Sequence, residues 1–325
     1  MTNNRWSFLA RLMAGIGGLG AVVVTLLRVW VFPAQRDMDT GFFSSPLIVI
    51  GLMLLLLAVL GALAFLLRGR ARCEVTGGAA LGLSTTLLLS GAVMFIYSVA
   101  EALGRLGLIE FFSVSQSGYL EQTVGLQLVL PWLQTAFGIL GGIALVRLGL
   151  RLASEGGTRR GMVRVSLLAP VLWMWFVLAN YVMSYASLIR ITDGFFTLAT
   201  YILEMLFLFR FAGYISGVGR SGVSTLLFLS SGTALFALSV PLVRLAMYLL
   251  QDSGAYAASG ATGVVDLAVG VLALVVSITL AQGLAAPPAE PSVESDEDGV
   301  TWEGPSDSSE VELLEELDSE ETSEE

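Results

Sequence analysis

Glu204 is the residue whose surroundings most clearly suggest chemistry, because it is the single carboxylate in a long apolar run. The run predicts a helix that begins near Gly194, which places the carboxyl about eleven residues, or ~16 Å, along it. That depth is close to the centre of a bilayer, where a carboxylate indicates a proton or cation site. The alternative is a structural, protonated glutamic acid that is hydrogen-bonded to a neighbouring helix, with Asn180 as the candidate partner.

Four further charges lie inside apolar runs and form a candidate ion-pair layer. They are Arg28, Glu101, Arg244 and Asp266. Each lies in the outer quarter of its predicted helix, so two cations and two anions share a similar depth. The layer is interpreted either as a polar vestibule that binds an extracellular ligand or as structural pairing between helices one, three, seven and eight. The structural interpretation is favoured because unpaired charges at that depth are costly.

The residue types that common catalytic and metal sites need are missing from the sequence. There is no His, every basic residue is Arg, and Cys73 is the single cysteine. The chain therefore lacks the commonest metal ligand and general base, and an intramolecular disulfide is excluded. The sequence contains no zinc motif and no phosphate-binding glycine loop with its lysine. We predict that the protein is not an enzyme and has no cofactor or metal.

The segment 285–325 differs sharply from the rest of the chain. Sixteen of the 27 carboxylates lie between Glu290 and Glu325, whereas residues 1–284 carry 17 arginines against 11 acidic residues. The segment is rich in Pro, Ser, Glu and Asp and lacks the apolar content to offset its ordering entropy. We predict a disordered, acidic cytoplasmic tail.

The tail contains one apolar island, formed by Val311, Leu314 and Leu317 on one face of a potential helix. Two destinations are considered for it. One is the chain's own basic loop, through Arg159 and Arg160; the other is a basic surface on another cytoplasmic protein. A solvated tail that binds nothing is the remaining alternative.

The elements that must position these side chains are transmembrane helices. The chain of 325 residues is 55% hydrophobic and 14% charged, with a mean hydropathy of +0.79, so lipid is the solvent for most of it. Eight apolar runs each approach the ~20 residues that cross ~30 Å of hydrocarbon. They span about residues 8–32, 45–67, 78–103, 124–150, 165–188, 194–217, 223–250 and 263–284. Pro33 is expected to end the first.

The arginines are distributed unequally between the loops. The loops after predicted helices two, four and six carry Arg68, Arg70, Arg72, Arg151, Arg159, Arg160, Arg164 and Arg220. The opposite loops carry Arg36, Arg105 and Arg190 beside six acidic residues. The positive-inside rule therefore predicts a multi-pass plasma-membrane protein with both termini in the cytoplasm. The absence of Lys beside abundant Ala, Gly and Arg indicates a GC-rich genome and a prokaryotic source.

Two echoes in the sequence predict an internal repeat. A polar turn ending in Gly-Phe-Phe occurs at 41–43 and again at 194–196, and a Gly-x-Ser-Thr pattern at 82–85 returns at 222–225. Under the predicted topology, corresponding helices run the same way, which predicts two parallel four-helix repeats, about 8–150 and 165–284.

Glycines four residues apart occur in three predicted helices. The pairs are Gly78 with Gly82, Gly138 with Gly142, and Gly213 with Gly217. This spacing lets two helices approach closely. We expect packing inside the bundle rather than a dimer face.

Two functions from different classes follow from these features. The first is a non-enzymatic membrane scaffold or sensor whose acidic tail binds a cytoplasmic partner. The alternative is a small secondary transporter with a proton- or cation-linked site near Glu204. Membrane lipid is the expected environment in both cases, and no nucleic-acid partner is predicted. A water-filled cavity at Glu204 favours the transporter, and a dry bundle favours the scaffold.

Overall fold

A computed structural model describes residues 3–35, 47–68, 77–108, 126–155, 166–185, 191–216, 222–251 and 260–283. The regular structure in these ranges is α-helical, which confirms the predicted all-α class. The helices are α1 (Asn3–Gln35), α2 (Leu47–Leu67), α3 (Gly77–Arg105), α4 (Leu126–Glu155), α5 (Leu168–Tyr185), α6 (Ile191–Ile215), α7 (Val223–Gln251) and α8 (Gly260–Gly283). By its contacts Met1–Ala286 forms one compact unit. The segment Pro287–Glu325 lies outside the described residues.

Seven of the described helices are long and apolar enough to cross a membrane. A helix satisfies its backbone hydrogen bonds within itself, which is the condition that hydrocarbon imposes on a spanning segment. The shorter one is α5, whose apolar stretch is Leu168–Met183. Its full 18 residues correspond to ~27 Å at 1.5 Å per residue, slightly less than the ~30 Å hydrocarbon core.

Most predicted helix boundaries differ from the structure by one to five residues, and two of the differences concern residues named above. Pro33 does not end α1, which continues to Gln35. Only two residues follow the proline, so the hydrogen bond that its missing N–H removes lies in the final turn, where little helix remains to be disturbed. The second Gly-Phe-Phe segment is helical, because α6 already begins at Ile191. Asp193 therefore lies within the first turn of α6, although it was expected to precede the helix.

The core of the bundle is α7, which packs against α1, α2, α6 and α8. Every residue from Leu229 to Pro241 is buried, including the hydroxyl-bearing Ser230, Ser231 and Thr233. The small side chains in this stretch let the neighbouring helices approach: a Cβ built on Gly17 of α1 would lie 2.9 Å from the Ser231 carbonyl oxygen. The α2 helix lies at the periphery, packed against α1 and α7.

Successive contacts fix the relative directions of the helices. Gly17 and Gly20 of α1 meet Ser231 and Leu235 of α7 in the same order, so α1 and α7 are parallel. The order is reversed for three other pairs, which are antiparallel: α2 with α7, α3 with α4, and α7 with α8. We call the end where α1 begins the N-terminal end of the bundle and the end where α1 finishes the opposite end.

The closest helix contact described lies between α3 and α4. A Cβ built on Gly142 would lie 2.8 Å from the Gly91 carbonyl oxygen and 2.8 Å from the backbone nitrogen of Phe95. The Ser84 hydroxyl donates a hydrogen bond to the Gly149 carbonyl oxygen at 2.8 Å. Gly138 and Gly142 therefore pack inside the chain, as the spacing predicts. Gly82 and Gly213, from the other two pairs, have no such neighbour within 4 Å.

Candidate functional site

Glu204 lies near the middle of α6, thirteen residues after Ile191 in a helix of 25 residues. Its side chain is 0% exposed. Within the described part of the chain, neither carboxyl oxygen has a hydrogen-bond partner. A charged carboxylate without a partner in this environment is very costly, so the surroundings favour the neutral acid.

Asn180 is not the partner of Glu204. Its side-chain nitrogen, on α5, donates a hydrogen bond to the Oε1 atom of Gln134 on α4 at 2.5 Å. Asn180 was expected to lie beside Glu204, but α5 packs against α6 and also against α4. The amide of Asn180 reaches that neighbour instead.

A second buried carboxyl group, from α8, lies near Glu204. Asp266 is 3% exposed and close enough for an electrostatic interaction between the two carboxyl groups. Direct packing of α6 against α8 brings them together. Nothing in the sequence indicates this neighbourhood, because the residues are 62 positions apart and were assigned to different sites.

Glu101, a member of the predicted ion-pair layer, pairs within its own helix. Arg105, one turn later on α3, donates to its Oε1 atom. The Gln134 amide and the Thr135 hydroxyl of α4 also donate to this carboxylate, at 3.4 and 3.5 Å. The arginine that pairs with Glu101 is thus Arg105, in reach at i,i+4 spacing, which was not a member of the predicted layer. Pairing within the layer stays a prediction.

Arg28 is buried and its guanidinium lies over the ring of Phe196, with 4.5 Å between Cζ and the ring centroid. This contact joins the C-terminal part of α1 to the beginning of α6. A cation over an aromatic face is stabilised by the ring quadrupole, more so when it is desolvated. The side chain of Arg244, the fourth member of the predicted layer, lies outside the described residues, as do Arg159, Arg160, Val311, Leu314 and Leu317.

A continuous polar network therefore crosses α3, α4 and α5. It runs from Arg105 through Glu101 and Gln134 to Asn180. Sequence reasoning missed Gln134 and Thr135 as members of this site. Their signal was present, since both are polar residues within a strongly apolar run, but it does not say which helix they face.

Replacing Gln134 with Leu should destabilise the protein, because it leaves the Asn180 amide and one Glu101 contact unsatisfied. Hydrogen bonds between membrane helices contribute about 0.6–2 kcal/mol, and a cost in that range is expected. Thermal unfolding in detergent of Gln134→Leu, Asn180→Leu and the double variant measures it. Both single variants remove the same hydrogen bond. The double variant should therefore lose less stability than the sum of the two single losses. Thr85→Val, which removes an exposed hydroxyl bonded only within α3, is the control.

The described residues contain no group of three or more His, Cys, Asp or Glu side chains that could hold a metal ion. What they contain is a pair of buried carboxyl groups and a separate polar network inside an apolar helical bundle. The fold and site thus define a multi-pass α-helical membrane protein. Comparison with protein-family models, curated proteins and solved structures gives no match for this chain.

Proposed function

We propose that this protein is a non-enzymatic scaffold or sensor of the plasma membrane, whose acidic cytoplasmic tail binds a protein partner. The observation that carries the proposal is the packed interior: α7 is buried from Leu229 to Pro241, and Glu204 beside it is fully buried. A close-packed bundle suits a protein that holds or reports a state. The acidic tail supplies the part that reaches another molecule.

The proposed orientation places both termini in the cytoplasm. The arginine distribution supports it, and so do the helix directions. Because α1 is parallel to α7 and α7 is antiparallel to α8, the start of α1 and the finish of α8 lie at one end of the bundle. The proposed topology has eight membrane crossings. Seven are by the long apolar helices, and the eighth, by the shorter α5, is part of the proposal.

The parallel four-helix repeat is part of the same proposal. The packing supports it in that α3 pairs with α4 as α7 pairs with α8, and α1 with α2 as α5 with α6. Other contacts are not shared by the halves: α7 packs extensively against α1 and α2, whereas α3 packs against α8. The repeat stays a prediction from the sequence echoes.

The second candidate function is a small secondary transporter with a proton- or cation-linked site at Glu204. One observation favours it: a fully buried carboxyl group without a hydrogen bond, close to a second buried carboxyl group. Intramembrane carboxyl groups commonly mark ion or proton paths. Counterflow of a labelled substrate in vesicles, sensitive to Glu204→Gln, is the result that would favour transport.

Replacing Leu314 with Asp should abolish binding of a cytoplasmic partner by the full-length protein. The reason is that a charge on the apolar island removes the anchor but leaves the acidic character of the tail. Affinity capture from membranes followed by binding assays with the purified candidate measures the loss, which should exceed tenfold. Ser306→Asp adds the same charge outside the island and should bind normally. Equal binding by both variants would remove the island from the proposal.

If the tail instead docks on the chain's own basic loop, its mobility should depend on salt and on the arginines of that loop. A spin label in the tail should become more mobile at high salt and in the Arg159→Gln/Arg160→Gln variant, since exposed charge pairs are screened over ~10 Å at 0.1 M salt. Equal mobility under all conditions would exclude self-docking without affecting the external partner.

A further inference from the structure

The buried face of α6 changes character at Glu204. Thr200 lies one turn and Thr197 two turns before Glu204 on the same helical face, and both are buried. The Thr200 hydroxyl donates to the Phe196 carbonyl oxygen at 2.8 Å, which leaves its oxygen free to accept a hydrogen bond. On this side of Glu204, towards the opposite end of the bundle, the face is polar.

The same face is apolar on the other side of Glu204. Phe207, Leu208 and Phe211 follow it at one- and two-turn spacing, and all are buried. The two phenylalanine rings stack with 5.8 Å between their centroids. A stacked aromatic pair excludes water and offers no hydrogen bond to a passing ion. The buried face of α6 is therefore polar only on the side of Glu204 that leads to the opposite end of the bundle.

Further ionisable groups continue the polar side towards the opposite end. Asp266 lies near Glu204, and Tyr97 of α3 lies within electrostatic range of both Asp266 and Glu101. Glu101 is the outermost of them and is partly exposed through its network with Arg105. Ionisable groups therefore lie at intervals between the partly exposed Glu101 and the fully buried Glu204.

The ligand that fits Glu204 is a proton rather than a metal cation. A dehydrated alkali or alkaline-earth ion needs about six oxygen ligands. In the described surroundings the Glu204 oxygens have no polar neighbour at hydrogen-bond distance. A proton needs a single carboxyl oxygen. Protonation also removes the charge, and with it both the burial cost and the repulsion from Asp266.

We propose that Glu204 reversibly binds a proton that reaches it only from the opposite end of the bundle, along the polar face of α6. In the binding step the carboxylate takes a proton from a hydronium ion and leaves water; release reverses this transfer. The inference rests on the proposed membrane-crossing sensor and adds its ligand, because one-sided access lets the bundle respond to acidity on one side of the membrane. It does not depend on the tail having a partner.

Few charged groups face Glu204 from its neighbours. The ionisable side chains described on α5, α7 and α8, the helices packed against α6, are Tyr181 and Asp266. Tyr181 makes an edge-to-face contact with Tyr201 of α6. On α1, Arg28 reaches Phe196, two turns before Glu204. Asp266 is the group whose negative charge would repel that of an ionised Glu204.

The test is infrared spectroscopy of the full-length protein in lipid vesicles, with the acidity changed on one side at a time. Labelling of Cys73, which follows the end of α2, identifies the side of the N-terminal end. We expect a carboxylic C=O band that shifts in D2O, disappears in Glu204→Gln, and follows acidity on the opposite side only. Asp266→Asn should keep the band and change its acidity dependence, and Thr200→Val should slow its response.

Four results would overturn the proposal. In the first, the band survives Glu204→Gln and so belongs to another group. In the second, the Glu204 band does not respond to acidity on either side, so the residue is only structural; in the third, the band responds to acidity on the Cys73 side or on both sides. In the fourth, sodium but not choline removes the band at constant acidity, so the ligand is a metal cation. Glutamine matches glutamic acid in shape and is neutral, so Glu204→Gln should fold. None of these results bears on partner binding by the tail, which Leu314→Asp tests separately.

Discussion

Cys73 should react with a membrane-impermeant maleimide only after the cells are opened. It follows the end of α2 by six residues and shares its loop with Arg70 and Arg72. The α2 helix runs antiparallel to α7 and hence to α1, so the end of α2 lies at the end of the bundle where α1 begins. Arginine-rich loops are retained in the cytoplasm. The expected effect is all or none, because one thiol is present in the chain.

The control for Cys73 is a single cysteine on the other side. In a Cys73→Ser background, Ser115→Cys places the thiol in the loop between α3 and α4, which should be labelled in intact cells. Labelling of Cys73 itself in intact cells would reverse the orientation and move the acidic tail outside. If both positions were labelled only in opened cells, α3 would not cross as proposed.

Replacing Gly142 with Leu should cost at least about 3 kcal/mol of unfolding free energy, at or beyond the upper end for overpacked cores. Even a Cβ at this position would lie 2.8 Å from backbone atoms of Gly91 and Phe95. Backbone cannot rotate away as a side chain can, so α3 and α4 must separate. Their separation would also strain the hydrogen bonds from Gln134 and Thr135 to Glu101.

Unfolding in mixed micelles with a denaturing detergent measures this cost, and Gly82→Leu is the matched control. Gly82 is an exposed glycine of α3 with no atom within 4 Å of a built Cβ. Leucine there adds apolar surface towards lipid and has the better helix propensity, so no loss of stability is expected. Equal losses in the two variants would show that helix propensity, rather than the α3–α4 contact, sets the effect.

The sequence by itself determined the environment and the elements of this protein. Runs such as 45–67 and 223–250 are apolar over the thickness of a bilayer. A single segment in hydrocarbon can satisfy its own backbone hydrogen bonds only as a helix. Both properties are local, so they can be read along the chain. The isolation of Glu204 within such a run is local as well, and it identified a buried carboxyl group correctly.

Only the tertiary structure decided which polar groups meet. Asn180 bonds to Gln134 rather than Glu204, Glu101 pairs with Arg105, and Asp266 comes close to Glu204. In water the apolar stripe of a helix indicates which face is buried. In lipid the exposed and packed faces are both apolar, so composition does not distinguish one neighbouring helix from another. Close approach at small residues such as Gly17 and Gly142 sets the neighbours, and this depends on the fit of whole helix surfaces.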